Sequence, residues 1–152
     1  MIIATHTAVG GLLGRGINPD TGRGWALTIL LAAGSHIPLD FLPQIGYTFT
    51  PILRLLDLTA AVLVLLIMMR IATSKKPILL AGIAAAAPDI EHFLVEYTEP
   101  VNRRIFISHL ESFPRIELSW QWGLIVESGV ILLAIAGVYF LESLVKDRSS
   151  IS

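Results

Sequence analysis

Two short stretches of this sequence pair a histidine with an aspartate at helical spacing. In SHIPLDFLP, His36 and Asp40 stand four residues apart; in AAAPDIEHF, Asp89 and His92 stand three apart. Residues at these spacings share one face of a helix. Each pair therefore offers an imidazole nitrogen and a carboxylate to the same point. Two such pairs on facing helices are the way metal sites are built inside helical bundles. The chain has no cysteine, which excludes disulfides and thiolate ligands. Nitrogen and carboxylate donors suit a divalent metal, zinc first and manganese or iron after it.

The remaining two histidines, His6 and His109, extend the candidate ligand set to His6, His36, Asp40, Asp89, His92 and His109. Three acids near these positions, Asp57, Glu91 and Glu127, are candidates for a general base or for orienting a ligand histidine. Arg54, Arg103 and Arg104 are candidates for holding a phosphate, because a guanidinium presents a fork that matches phosphate oxygens. Each residue also has a plain structural reading. His6 suits a hydrogen-bonded core histidine. SHIPLD suits a polar helix end. Arg54 and Asp57, three apart, suit an ordinary pair on one helix face. PDIEH suits a helix start with acids favoured by the dipole. Glu127 suits a hydrogen bond to a neighbouring helix. The joint pattern is harder to read that way, since all four histidines and most of the acids within apolar segments fall on one side of the map below.

The elements that must position these residues are apolar. Of 152 residues, 54% are hydrophobic and 15% charged, with a mean hydropathy of +0.72. Soluble domains carry about 25% charged residues, so the composition predicts a membrane protein of one compact domain, residues 1–152. The net charge of −1 and the lack of a basic arm exclude a nucleic-acid surface. MIIATHTAVGGLLG has no basic start and does not read as a cleaved signal peptide.

A transmembrane helix needs about 20 apolar residues. Residues 24–43, 52–72, 77–95 and 121–145 meet or approach that length. Residues 2–13 form a shorter hydrophobic helix, in which Gly10 and Gly14 make a small-xxx-small pattern that permits close packing. The expected fold is all-α, a multi-pass transmembrane bundle of four full spans plus this short N-terminal helix. One side receives Arg15, Arg23, Arg70, Lys75, Lys76, Lys146 and Arg148. The other receives Arg54, Arg103, Arg104 and Arg115. The larger group sets the cytoplasmic side. Lysine and arginine alone fix that orientation, and it places His36, Asp40, Asp57, Asp89, His92, His109 and Glu127 in one layer at the outer face. His6 joins them if residues 2–13 cross. Pro38 lies between His36 and Asp40, and Pro88 precedes Asp89. Proline removes an amide donor and bends a helix, and broken helix at membrane depth is tolerated where protein or a cavity receives it. Trp25, Trp120 and Trp122 suit interfacial aromatics.

The ordered set THTAVGG, GSHIPLDFLP, an aspartate early in the next helix, AAAPDIEHF and a later loop histidine resembles the membrane-bound metal-dependent hydrolases related to YdjM, small multi-pass bacterial and archaeal proteins. The resemblance runs from Thr5 to about Glu127. It implies metal ligation by His6, His36, Asp40, Asp89, His92 and His109, with Asp57 a further candidate. It also implies a distant likeness to zinc-dependent phospholipase C, whose H-x-x-x-D pair His36 and Asp40 match. The chain departs from the family pattern at Gln44 and Glu91, where relatives often have His and Asp, and it has one histidine in the late loop.

These readings converge on a metal-dependent phosphoester hydrolase in a prokaryotic cytoplasmic membrane, acting on a lipid or lipid-linked substrate at the extracytoplasmic face. Its partners would be the lipid bilayer and that substrate. The competing expectations are a non-catalytic metal-binding or ion-transport membrane protein, and a scaffold whose polar residues pin helices together. A transport path needs polar groups strung across the bilayer. LLIMMRIA and ILLAIAGVYFLESL offer few.

Overall fold

A computed structural model describes residues 2–45, 50–97, 114 and 116–149, with side chains described as far as Asp89 in the fifth helix and Asp147 in the last. The chain is mostly helical: α1 (Ile3–Ile17), α2 (Gly22–Gly34), α3 (His36–Asp40), α4 (Pro51–Ile71), α5 (Lys75–Tyr97) and α6 (Trp120–Ser149). Two-residue strands β1 (Gln44–Ile45) and β2 (Glu117–Leu118) pair in parallel, Gln44 opposite Glu117 and Ile45 opposite Leu118. This bridge, which nothing in the sequence pattern announces, ties the segment after α3 to the start of α6.

The helix ends follow from local chemistry. Thr21 caps α2 by accepting from the Gly24 amide at 3.1 Å. Thr50 caps α4 by accepting from Leu53 at 3.3 Å, with Pro51 at the first helical position, where its missing amide costs nothing. α1 stops at Asn18, whose left-handed φ of 42° lets its amide return to Gly14 O at 3.0 Å. The segment expected as one helix over 24–43 is α2 and α3 joined at Ser35. The chain keeps helical torsions there, φ −63° and ψ −17°, and Pro38 withdraws the amide that would have bonded Gly34 O.

α1 is the centre of the bundle, packed against α2, α4, α5 and α6. The sequence led us to expect a short hydrophobic helix with a close-packing glycine pattern; its buried residues include Ala4, Thr5, His6, Thr7, Ala8, Gly10, Gly11 and Gly14. Gly10 and Gly14 explain how. A Cβ at Gly10 would strike the Ala81 carbonyl, and one at Gly14 the Pro77 carbonyl. α1 and α5 therefore touch backbone to backbone, in opposite directions. Ala8, Val64, Met68, Ala72, Ile78, Ala134 and Val138 close the core around this contact.

Among the described residues, two helices are long and apolar enough to cross a membrane: Pro51–Ile71 and Trp120–Asp147. Only 22% and 17% of their most apolar windows are buried inside the protein. Leu55, Leu56, Val62, Leu63, Leu66, Leu132, Leu133, Tyr139 and Phe140 all face outward. α1 and α2 have 15 and 13 residues. At 1.5 Å per residue they extend about 22 and about 20 Å, short of the roughly 30 Å hydrocarbon core.

Candidate metal centre

The N-terminal end of α1 gathers polar side chains from five helices. His6 comes from α1, His36 and Asp40 from α3, Asp57 from α4, Asp89 from α5 and Glu127 from α6, and each is buried. They divide into two sets by what they face.

Asp57 and Glu127 face backbone. α1 begins at MII, which supplies no Ser, Thr, Asp or Asn to cap it, and Ile2 makes no side-chain cap bond. A helix start leaves four amides without partners. Asp57 accepts from Ile3 at 2.9 Å and from Ala4 at 3.1 Å. Glu127 accepts from Ile2 at 3.1 Å. Two acids from other helices thus cap α1 in place of its own sequence, where the helix dipole also favours negative charge. The other Glu127 oxygen accepts from the Ile45 amide at 3.3 Å.

His6, His36, Asp40 and Asp89 face one another. The two imidazoles stack, ring centroids 3.8 Å apart and planes 16° from parallel. Asp40 spans both rings, Oδ1 lying 3.3 Å from His6 Nε2 and Oδ2 3.3 Å from His36 Nε2. Asp89 Oδ1 approaches the same His36 nitrogen at 3.6 Å. The other nitrogen, Nδ1, lies 3.1 Å from the Ala85 carbonyl oxygen. A carbonyl only accepts, so Nδ1 carries the proton and donates. Nε2 points at two carboxylates, and in the neutral ring it carries the lone pair that a cation would take. Pro88, inside α5 and next to Asp89, offers no amide to the carbonyl of Ala84.

This donor set fits a divalent metal. One nitrogen from each imidazole and one Asp89 oxygen lie within 4.8 Å of one another. Ligands held about 2.1 Å from a tetrahedral ion are about 3.4 Å apart, close to the 3.6 Å between His36 Nε2 and Asp89 Oδ1. His6 is wholly buried; its Nε2 has Asp40 Oδ1 at 3.3 Å, and its Nδ1 makes no hydrogen bond to any described residue. Leaving such a group unsatisfied costs about 1–3 kcal/mol, which a bound cation relieves. A ligand histidine whose second nitrogen donates to a backbone carbonyl is the usual arrangement around a protein-bound metal.

Comparison of the chain with protein-family models, with curated proteins and with solved structures finds no match. The site is therefore read from its own atoms.

Of the residues singled out in the sequence, the structure brings together His6, His36, Asp40 and Asp89. Asp57 and Glu127 share that end of the bundle but hold α1 rather than facing the imidazoles. Arg54, one turn before Asp57 on α4, is half-buried there. Glu91 and His92 belong to α5 beyond the last described side chain, and Arg103, Arg104 and His109 lie outside the described residues.

A second buried polar group lies at the opposite end of α1. Arg15 Nε pairs with Glu142 Oε1 on α6, and Thr73 Oγ1 donates to Glu142 Oε2 at 3.0 Å. In the sequence Arg15 counts among the basic residues that set the cytoplasmic side, and Glu142 has no assigned role. The signal available was an acid one turn inside the end of a long apolar helix.

Proposed function

We propose that this protein is a membrane-embedded, metal-dependent phosphoester hydrolase whose metal is held by His6, His36, Asp40 and Asp89, with zinc the first choice and manganese or iron the others. The observation that carries the proposal is the orientation of His36: Nδ1 bonded to a carbonyl, Nε2 turned toward Asp40 and Asp89. The resemblance to YdjM-related hydrolases supports the same ligand set, with His92 and His109 as further candidates.

A divalent ion bound here would supply a water acidified to the neutral range and a Lewis acid for a phosphoryl oxygen. The chain's own residues do the rest. Asp40 holds both imidazoles in one orientation. Asp89 adds negative charge beside His36. Arg54, at the same end, is the described cation best placed to hold a substrate phosphate. Asp57, Glu91 and Glu127 were the acids considered as bases. With Asp57 and Glu127 engaged by amides, Glu91 is the one of these left to propose for proton transfer.

The lipid substrate is inferred from the surroundings. Ile37, Phe41 and Leu42 are exposed around α3, and Trp120 and Trp122 are exposed at the start of α6. An apolar rim around a polar site suits a headgroup held at an interface while its chains stay in hydrocarbon. We place that rim at the extracytoplasmic face, with α4 and α6 spanning and α2–α3 and α5 completing the four spans, because the basic residues collect at the other end. Ion transport is the less favoured reading: among the described residues the core between the two polar ends is mainly Ala8, Val64, Met68, Ile78, Ala134 and Val138, a poor relay for an ion.

The test begins with elemental analysis of detergent-purified protein, wild type beside His36→Ala and Asp89→Ala. Stoichiometric metal in wild type, lost from both folded variants, is expected. The loaded protein is then assayed against phospholipids of varied headgroup. Absence of metal after reloading would overturn the centre. Metal binding without hydrolysis of any headgroup would overturn the lipid phosphoesterase reading alone.

A further inference from the structure

Resting on the metal-centre reading above, we infer that Glu127 is a positioning residue for it, with Asp57 as its helper: their carboxylates set where His6 stands relative to His36 and Asp40, without touching the metal.

Among the described residues, polar groups anchor α1 at both ends: Arg15 pairs with Glu142 at one, and Asp57 and Glu127 hold the other. On its face toward α5, Gly10 and Gly14 bring the backbones close, with Thr7 against Gly82, so few side chains there interlock as ridges in grooves. Its first turn has no cap of its own. The polar anchors at that end are the carboxylates of Asp57 and Glu127, bonded to the amides of residues 2, 3 and 4. His6 follows at once. Its own amide bonds to the Ile2 carbonyl at 3.4 Å, and the Ile2 amide bonds to Glu127. A single peptide residue therefore separates Glu127 from the backbone of His6.

Glu127 also reaches the other half of the centre. Its second oxygen holds the Ile45 amide at 3.3 Å, and Ile45 lies five residues beyond Asp40 on the segment that leaves α3. Gly123, one turn earlier on α6, lets that segment come close. A Cβ at Gly123 would lie 2.8 Å from Ile45 Cα and 2.9 Å from Ile45 N. One wholly buried carboxylate thus fastens both chain segments that carry the imidazoles to a single point on α6. Replacing it by Gln keeps the volume and leaves one acceptor oxygen where two amides need one each.

The test uses the full chain in detergent, titrated with Co(II), which reports its ligand geometry by its visible absorption. Glu127→Gln and Asp57→Asn are compared with wild type. Glu142→Gln, which removes the acid at the far end of α1, is the control for general loss of stability. In Glu127→Gln and Asp57→Asn, Co(II) affinity is expected to fall 10- to 100-fold, about what loss of a residue supporting a metal ligand costs. The visible band at saturation is expected to change as well. Glu142→Gln should lower the melting temperature and leave affinity and spectrum as in wild type. Unchanged affinity and spectrum in Glu127→Gln would overturn the inference. So would an equal loss of affinity in Glu142→Gln, which would make the effect global. Should Glu127→Gln fail to fold, Asp57→Asn is read by the same criteria. Wild-type protein that binds no Co(II) would overturn the metal centre itself, an outcome distinct from a wild type that binds and a Glu127 variant that binds equally well.

Discussion

His6 and His36, thirty residues apart in sequence, stack with ring centroids 3.8 Å apart and turn their Nε2 atoms to the two oxygens of one carboxylate, Asp40. A carboxylate shared in this way fixes both rings at once, and neither oxygen is spare. Asp40→Asn removes one acceptor and presents an NH₂ group to an imidazole nitrogen in its place. Metal affinity is expected to fall at least tenfold in Asp40→Asn and further in Asp40→Ala. Competition against a chromogenic chelator measures both. Equal affinity in wild type and Asp40→Ala would remove Asp40 from the centre.

The contact between α1 and α5 depends on glycine at position 14, because a Cβ there would strike the Pro77 carbonyl and then Ala81. Pro77 is backbone in the first turn of α5 and has no flexible side chain to move aside. Gly14→Val is expected to destabilise the protein by about 2 kcal/mol or more, the upper part of the range for overpacking a core. Gly22→Ala, at a position with open space around it, is expected to change stability little. Thermal unfolding in detergent, followed by circular dichroism, compares them.

Helix extents were legible in this sequence, and the neighbours of each helix were not. Apolar length located α4 and α6 to within a few residues, since the segments read as 52–72 and 121–145 are Pro51–Ile71 and Trp120–Ser149. The short helix read as 2–13 runs to Ile17, because Gly14, Arg15 and Gly16 resemble a turn by composition but are held helical by packing on α5 and by Glu142. His36 and Asp40 were legible as a pair, since helical spacing alone puts them on one face. The partnership of His36 with the Ala85 carbonyl was not, because a backbone acceptor leaves no mark on sequence. Asp57 and Glu127 were legible as buried acids near the site. Their attachment to α1 could be read only once α1 was known to be central, because the need they meet is the absence of a capping residue at Ile2.

Arg15 and Glu142 are buried together at the far end of α1, with Thr73 completing the set. Removing one member of a buried ion pair leaves the other charged and uncompensated, which costs about 3–5 kcal/mol, whereas replacing both with apolar residues of similar size is often neutral. Arg15→Met alone is therefore expected to be strongly destabilising, and Arg15→Met combined with Glu142→Leu to recover most of the loss. Unfolding curves of the single and double variants form the cycle. Additive losses would show that the two side chains act independently.

The outward face of α4 makes the membrane reading testable without reference to the metal. Leu63 lies at the middle of this apolar helix and is 53% exposed. In a water-soluble protein, lysine there would be harmless or would improve solubility. In a bilayer, a lysine at the centre of a spanning helix costs about 2.5–3.5 kcal/mol. Leu63→Lys is therefore expected to reduce the fraction of protein recovered in carbonate-washed membranes, while Lys75→Leu at the helix-end rim leaves it unchanged. Val64, the next residue, is buried in the core. Val64→Lys should lower membrane recovery and also the detergent melting temperature, whereas Leu63→Lys should leave the detergent melting temperature near wild type. That separation between neighbouring positions would identify hydrocarbon, rather than protein, as the solvent of the α4 surface.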